Sequence, residues 1–194
     1  TINDATTGAI VLAVPGVALS GDSSVIAAAF AGSVTTHTGT IAITNNDYTI
    51  SELITINNAS TGAITLTTTN LALSGTAAEV AAALDGTINH TGTVEATSNH
   101  SLAELKSISN GTSGTITLNS YAVALSGSTA DVKAALSGTF TNPYTGIVTL
   151  SDSSPTDITA TDITTINSST SGAITVSNAI DINGSGSQVK AAFD

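Results

Sequence analysis

The feature that most constrains this chain is a glycine that keeps returning. Glycines preceded by Thr or Ser stand at Gly8, Gly39, Gly62, Gly92, Gly114, Gly146 and Gly172, at successive steps of 31, 23, 30, 22, 32 and 26 residues. Long and short units alternate, so the true period is the pair: Gly8 to Gly62 is 54 residues, Gly62 to Gly114 is 52 and Gly114 to Gly172 is 58. A fixed period of this size, varied only in its loops, marks units that cannot bury their own apolar faces and must stack on their neighbours. The expected organisation is one array. Paired units cover residues 8–61, 62–113 and 114–171, a short-unit tail covers 1–7, and a truncated long unit covers 172–194. Because Thr1–Gly8 matches Ile56–Gly62 and the last helical pattern stops at Asp194, the array reads as cut from a longer chain.

Composition agrees with stacking. Trp, Met and Cys are absent and aromatics are 3%, so a core must be layered from Ile, Val, Leu and Ala, which make up most of the 41% hydrophobic content. Without cysteine there is no disulfide framework and no thiol chemistry. A formal charge of −11, with only Lys106, Lys133 and Lys190 as cations, leaves no basic patch for a phosphate backbone, so no nucleic-acid partner is expected. No apolar run reaches the roughly 18 residues of a membrane span, and no basic-then-apolar leader opens the chain. Self-association, or further repeats of the same protein, is the expected partner.

Behind each glycine the second and fourth positions are apolar: Ile10 and Leu12, Ile41 and Ile43, Ile64 and Leu66, Val94 and Ala96, Ile116 and Leu118, Val148 and Leu150, Ile174 and Val176. Period two with Thr between predicts a half-buried strand, entered through a glycine of positive φ. In the long units a second apolar pair follows, ending at Gly21, Gly75, Gly127 and Gly184, and predicts a short extended segment or bend.

Helix signals come next. Asp22, Thr76, Ser128 and Ser185 in the long units, and Thr49, Ser101 and Thr159 in the short ones, are good N-caps. Three residues on, Glu52, Glu79, Glu104, Asp131, Asp162 and Gln188 supply the second half of a capping box, while Val25 does not. Apolar residues at i, i+3 and i+4, such as Val80, Ala83 and Leu84, then define a buried helix face, and Gly32, Gly86 and Gly138 end the long-unit helices. Asn-rich turns (INNAST, ISNGTS, INSSTS) are suited to laddering between units.

The expected fold is an α/β solenoid: stacked strand, turn and short-helix units, with a parallel sheet on one side at about 4.8 Å per unit. Short helices are marginal alone, so an all-β solenoid is the alternative.

At LSGTAAEVAAALDGT, TGTVEATSNHSLAELKSISN and TSGTITL the chain resembles the Thr/Ser/Ala-rich tandem repeats of very large secreted bacterial surface proteins, cyanobacterial-type and often adhesin-like. The resemblance covers the whole chain and implies a secreted, cell-surface location. It brings no ligand and no functional residue with it.

Chemistry is sparse in this reading. Six of the fourteen acids, Asp22, Glu52, Glu79, Glu104, Asp131 and Asp162, sit at helix starts, where they complement the dipole, and the other eight are scattered. There is no D-x-D-x-D-G loop, and the place to look for calcium is the enlarged turn SDSSPTD, at Asp152 and Asp157. His37 and His90 occupy equivalent positions two before a glycine, with Tyr144 in the third copy, and read as surface turn residues, as does His100. No nucleophile elbow or oxyanion motif points to an enzyme. The outward strand positions Thr65, Thr67, Thr93, Thr97, Thr115 and Thr117 are expected to form ladders on a flat sheet, a face for ice or glycan. In the first unit the same positions are Ala9, Val11 and Ala13, which suggests a subunit contact. The function expected is structural, as filament, stalk or surface-layer material, with an adhesin or ice- or glycan-binding module as the alternative.

Overall fold

The computed structural model describes residues 5–193. The matches drawn at Thr1 to Asp4 and at Asp194 lie outside the described residues. In chain order, β1 (Leu19–Gly21) leads into α1 (Ser23–Phe30) and β2 (Ile41–Ile43) into α2 (Ile50–Ala59). β3 (Ile64–Leu66) and β4 (Leu73–Gly75) precede α3 (Ala77–Leu84), and β5 (Val94–Ala96) precedes α4 (Leu102–Gly111). β6 (Thr115–Leu118) and β7 (Leu125–Gly127) precede α5 (Thr129–Ala135). β8 (Thr139–Phe140), β9 (Val148–Leu150) and β10 (Ile158–Thr159) precede α6 (Ala160–Ser169). β11 (Ile174–Val176) and β12 (Ile182–Asn183) precede α7 (Gly186–Phe193). Among the described residues the protein is a mixed α/β fold with parallel sheets and seven helices.

Each helix packs on the next in sequence, from α1 through α7. The strands divide into four parallel sheets, β1-β2-β3, β4-β5-β6-β8, β7-β9-β11 and β10-β12. The glycine-led strands pair within three couples, Ile41 with Ile64, Val94 with Ile116 and Val148 with Ile174. They do not line up as one sheet. The second apolar segment of the long units, expected as a short extended segment or bend, is a strand, and in the first three it starts a new sheet: Leu19 pairs with Ile41, Leu73 with Val94 and Leu125 with Val148, whereas Ile182 of the fourth pairs back with Ile158. In the first unit Ile10 makes only an isolated bridge to Val34. Helices pack about 8–10 Å apart whereas paired strands sit near 4.8 Å. Restarting the sheet in the first three long units lets a row of helices and its strands advance together.

The core lies between helix row and sheets, built from Ile41, Ile43, Leu53, Ile56, Val80, Leu84, Leu105, Ile108, Ile116, Val132, Val148 and Ile166, all essentially inaccessible. The helix faces follow the i, i+3, i+4 pattern, with Val80, Ala83 and Leu84 buried on α3. Thr49–Glu52, Thr76–Glu79 and Ser101–Glu104 form complete capping boxes. Asp22 makes no cap bond from its side chain. Asn57, expected in a turn, lies instead in the last turns of α2, and it donates to the carbonyls of Ala82 on α3 and of Asp85 just beyond it.

The recurring glycines are needed for a different reason from the one expected. Their φ is not positive; among the described residues only Gly32 and Gly86, which follow helix ends, have that conformation. A Cβ at Gly62 would stand 1.8 Å from the Gly39 carbonyl oxygen, one at Gly114 1.9 Å from that of Gly92, and one at Gly172 1.9 Å from that of Gly146. Neighbouring backbones touch at these points, and no side chain fits between them.

Candidate functional site

Several chemistry-bearing side chains are buried in the interior. His37, His90 and Tyr144 each stand two residues before a recurring glycine, and Ser60, Thr112 and Thr170 hold the same place before the next one. The two sets meet as parallel bridges, His37 with Ser60, His90 with Thr112 and Tyr144 with Thr170. The histidines expected on the surface are therefore interior: His37 is 2% exposed, His90 3% and His100 4%. Polar side chains read as solvated until a buried carbonyl is shown to need them, and that carbonyl lies about 20 residues away.

Each ring reaches back to one such carbonyl. His37 Nε2 is 2.8 Å from Val17 O, His90 Nε2 is 2.8 Å from Leu71 O, and the Tyr144 hydroxyl donates to Val123 O at 2.6 Å. A carbonyl only accepts, so both imidazoles carry their hydrogen on Nε2. The hydroxyl set also reaches back along the chain. Ser60 donates to His37 O, Thr112 to Gly92 O and Thr170 to Tyr144 O, each at 3.1 Å. The hydroxyl oxygens of Ser60, Thr112 and Thr170 in turn accept from the amides of Gly62, Gly114 and Gly172. These turn groups thus find partners either in an adjoining unit or within the same turn.

The Thr112 hydroxyl also lies 3.0 Å from His90 Nδ1, and that of Ser60 lies 3.5 Å from His37 Nδ1. This is a hydroxyl–imidazole pair of the kind used in acyl transfer, with a main-chain carbonyl where a carboxylate would orient the ring. Both hydroxyls are buried at 8% exposure and already committed to main-chain partners. Burial pushes the His90 and His100 imidazoles below their ordinary range, opposed by the Leu71 carbonyl in the first case and the Glu104 charge in the second. It pushes the Tyr144 phenol up to about 12. His100 Nε2 donates to the Tyr144 oxygen at 3.0 Å, which leaves Nδ1 buried without a partner.

No family model, curated protein or solved structure matches this chain.

The candidate faces lie outside this spine. Thr65 and Thr67 are exposed on and beside β3, Thr93 and Thr97 are exposed on either side of β5, and Thr115 and Thr117 are half-buried in β6. They belong to two different sheets, and Thr117 faces Glu95 across its ladder while Thr65 faces Ala42. Ala9, Val11 and Ala13 are exposed, and Val11 at 79% is joined by exposed Val14, Val17 and Val25. Asp152 accepts from the Thr129 amide and hydroxyl at 2.8 and 2.6 Å, and Asp157 accepts from Asn183 at 2.8 Å. Among the described residues no three His, Asp or Glu side chains converge as a metal would need. Open clefts of 300 to 420 Å³ recur where a long-unit helix meets the next short unit, one beside Phe30 and Asn58 and another beside Phe140 and Asn142. Among the described residues no helix is long and apolar enough to cross a membrane.

Sequence reasoning missed the ring-and-hydroxyl spine. The signal was there, in the alternation of a ring with Ser or Thr two residues before successive glycines.

Proposed function

We propose that this chain is a solenoid segment of an extracellular bacterial surface protein whose work is mechanical: to extend, as filament, stalk or surface-layer material. The observation that carries the reading is the use to which the polar interior is put. His37, His90, Tyr144, Ser60, Thr112 and Thr170 all spend their donors on main-chain carbonyls, largely in adjoining units. Residues that would do chemistry elsewhere are here the bolts of a stack. An enzyme is not supported, because the imidazoles and hydroxyls are buried and occupied. Placement outside the cell rests on the resemblance to surface-protein repeats.

Deleting residues 62–113, one pair of units, tests the reading. Small-angle scattering should show a particle shorter by about 10 Å on strand spacing, and by up to about 20 Å if helix packing sets the rise. Circular dichroism per residue should be unchanged. Loss of folded structure on that deletion would refute stacking as the organising principle.

A second reading, adhesion to ice or glycan through the exposed Thr65, Thr67, Thr93 and Thr97 together with Thr115 and Thr117, is favoured by the exposure of the first four. Replacing Thr65, Thr67, Thr115 and Thr117 by Lys should abolish adsorption if this face binds. Unchanged adsorption removes it.

A further inference from the structure

Two kinds of seam alternate along the chain. Where a long unit follows a short one, the glycine-led strands pair with each other, Ile41 with Ile64, Val94 with Ile116 and Val148 with Ile174. Where a short unit follows a long one, its strand pairs instead with the long unit's second strand, β1 with β2, β4 with β5 and β7 with β9. Main-chain bonds fix this second seam: Gly21 O accepts from the Thr44 amide at 3.1 Å, Gly75 O from that of Thr97 at 2.8 Å and Gly127 O from that of Ser151 at 2.9 Å. The long unit's own glycine-led strand is covered by the segment just beyond its helix, through Ile10 with Val34, Ile64 with Ile88 and Ile116 with Phe140.

The short unit also caps its neighbour's helix. The first amides of a helix have no partner within it, and here one of them is satisfied from outside. Two residues beyond each short-unit strand stands a side-chain oxygen that accepts from the first amide of the preceding long-unit helix. Ser23 donates to Asn45 Oδ1 at 2.8 Å, Ala77 to Ser98 Oγ at 3.0 Å and Thr129 to Asp152 Oδ2 at 2.8 Å.

We propose that the face formed by β11, β12 and α7 is an acceptor for a short unit of this repeat type and does not accept a long one. This rests on the reading of the chain as a stack, and names which unit the face takes. What a short unit covers in the second long unit is open in the last. Ile64, Leu66 and Leu73 are at most 4% exposed, whereas Ile174, Val176 and Ile182 in the same places are only half-buried; Leu84 is 1% exposed and Phe193 67%. An open cleft of about 420 Å³ lies against Ile174, Val176, Ile182 and Phe193. Gly184 and Gly186 hold the places of Gly75 and Ala77, so the face offers the same carbonyl and the same helix amide. A second copy of this chain would bring its first long unit, β1 with α1, which is the wrong type for this seam.

Extending the full chain tests the choice. Residues 86–113 appended after Asp194 supply a short unit and repeat the Asp85–Gly86 junction, while residues 62–85 appended in the same way supply a long one. Amide hydrogen exchange over residues 174–193, followed by NMR, should slow at least about tenfold with the short extension and less than about twofold with the long one. Ser98→Ala in the appended copy should return the Gly186 amide to its unextended rate and leave the Ile182 amide protected. The proposal is overturned by no slowing with the short extension, by equal slowing with both, or by a Gly186 amide indifferent to Ser98→Ala. Slowing that grows with the concentration of the unextended chain also overturns it, since a second copy's long unit would then fit. Each of these can occur while the deletion of residues 62–113 behaves as a stack requires, so the two ideas fail separately.

Discussion

The stretch from Gly62 to Leu118 and the stretch from Ala9 to Phe30 are made of the same kinds of residue, yet only the first is closed on both sides. In the middle units Gly92 and Gly114 bring backbones into contact, His90 and Thr112 satisfy the turn, and complete boxes cap α3 and α4. In the first unit Gly16 has room for a Cβ, with its nearest neighbour, Thr38 Oγ1, at 3.6 Å, Asp22 caps without a side-chain bond, and Val11, Val14, Val17 and Val25 are exposed. The lesson is that the repeat's residues acquire their roles from the neighbour on each side. A glycine is indispensable where another backbone lies against it and ordinary where none does.

That contrast can be broken most sharply at the glycines. Gly114→Ala should cost more than about 3 kcal/mol, since a clash of Cβ with a carbonyl oxygen cannot be relieved by a rotamer, whereas Gly16→Ala should fall within about 0.5 kcal/mol of wild type. Urea denaturation of both variants checks this, and equal losses would erase the distinction. Core truncation comes next. Leu105→Ala, at a fully buried position, should cost about 3 kcal/mol, and Leu12→Ala, half-buried in the first unit, less than about 1 kcal/mol.

The third test is acidification, which should act through the middle. His90 and His100 are held below the ordinary imidazole range by burial, so the native state binds protons later than the unfolded chain. Stability is full above the unfolded value of about 6.5 and is lost as pH falls through the depressed native values. Thermal melts between pH 7 and pH 4 should show the loss, and His90→Gln with His100→Gln should flatten it. At the alkaline end the Tyr144 phenol, raised to about 12, contributes stability that is present below its unfolded value of about 10 and is lost between there and about 12. The smallest effect is at the caps. Thr76→Ala should cost about 1 kcal/mol, and Asp22→Ala less than about 0.5 kcal/mol, by the same denaturation measurement.

Helices were the most legible part of this chain. Val80 with Ala83 and Leu84, framed by Thr76, Glu79 and Gly86, states a helix, its buried face and both its ends within eleven residues. Those are local signals, set by one turn of backbone. The polar spine was half legible: the position of His90 two before Gly92 was plain, but its burial was not, because the carbonyl it serves belongs to Leu71.

What the sequence determined alone was the alternation of long and short units, the positions of most helices, and an acidic, cysteine-free composition. Which strand sits beside which was decided only in three dimensions. Seven glycine-led segments are nearly interchangeable as sequences, and parallel pairing is a choice among distant partners made by packing. The helices, wider than strands, settled that choice by making each of the first three long units open a new sheet. The same packing turned the recurring glycine from a residue free to bend into one too small to replace.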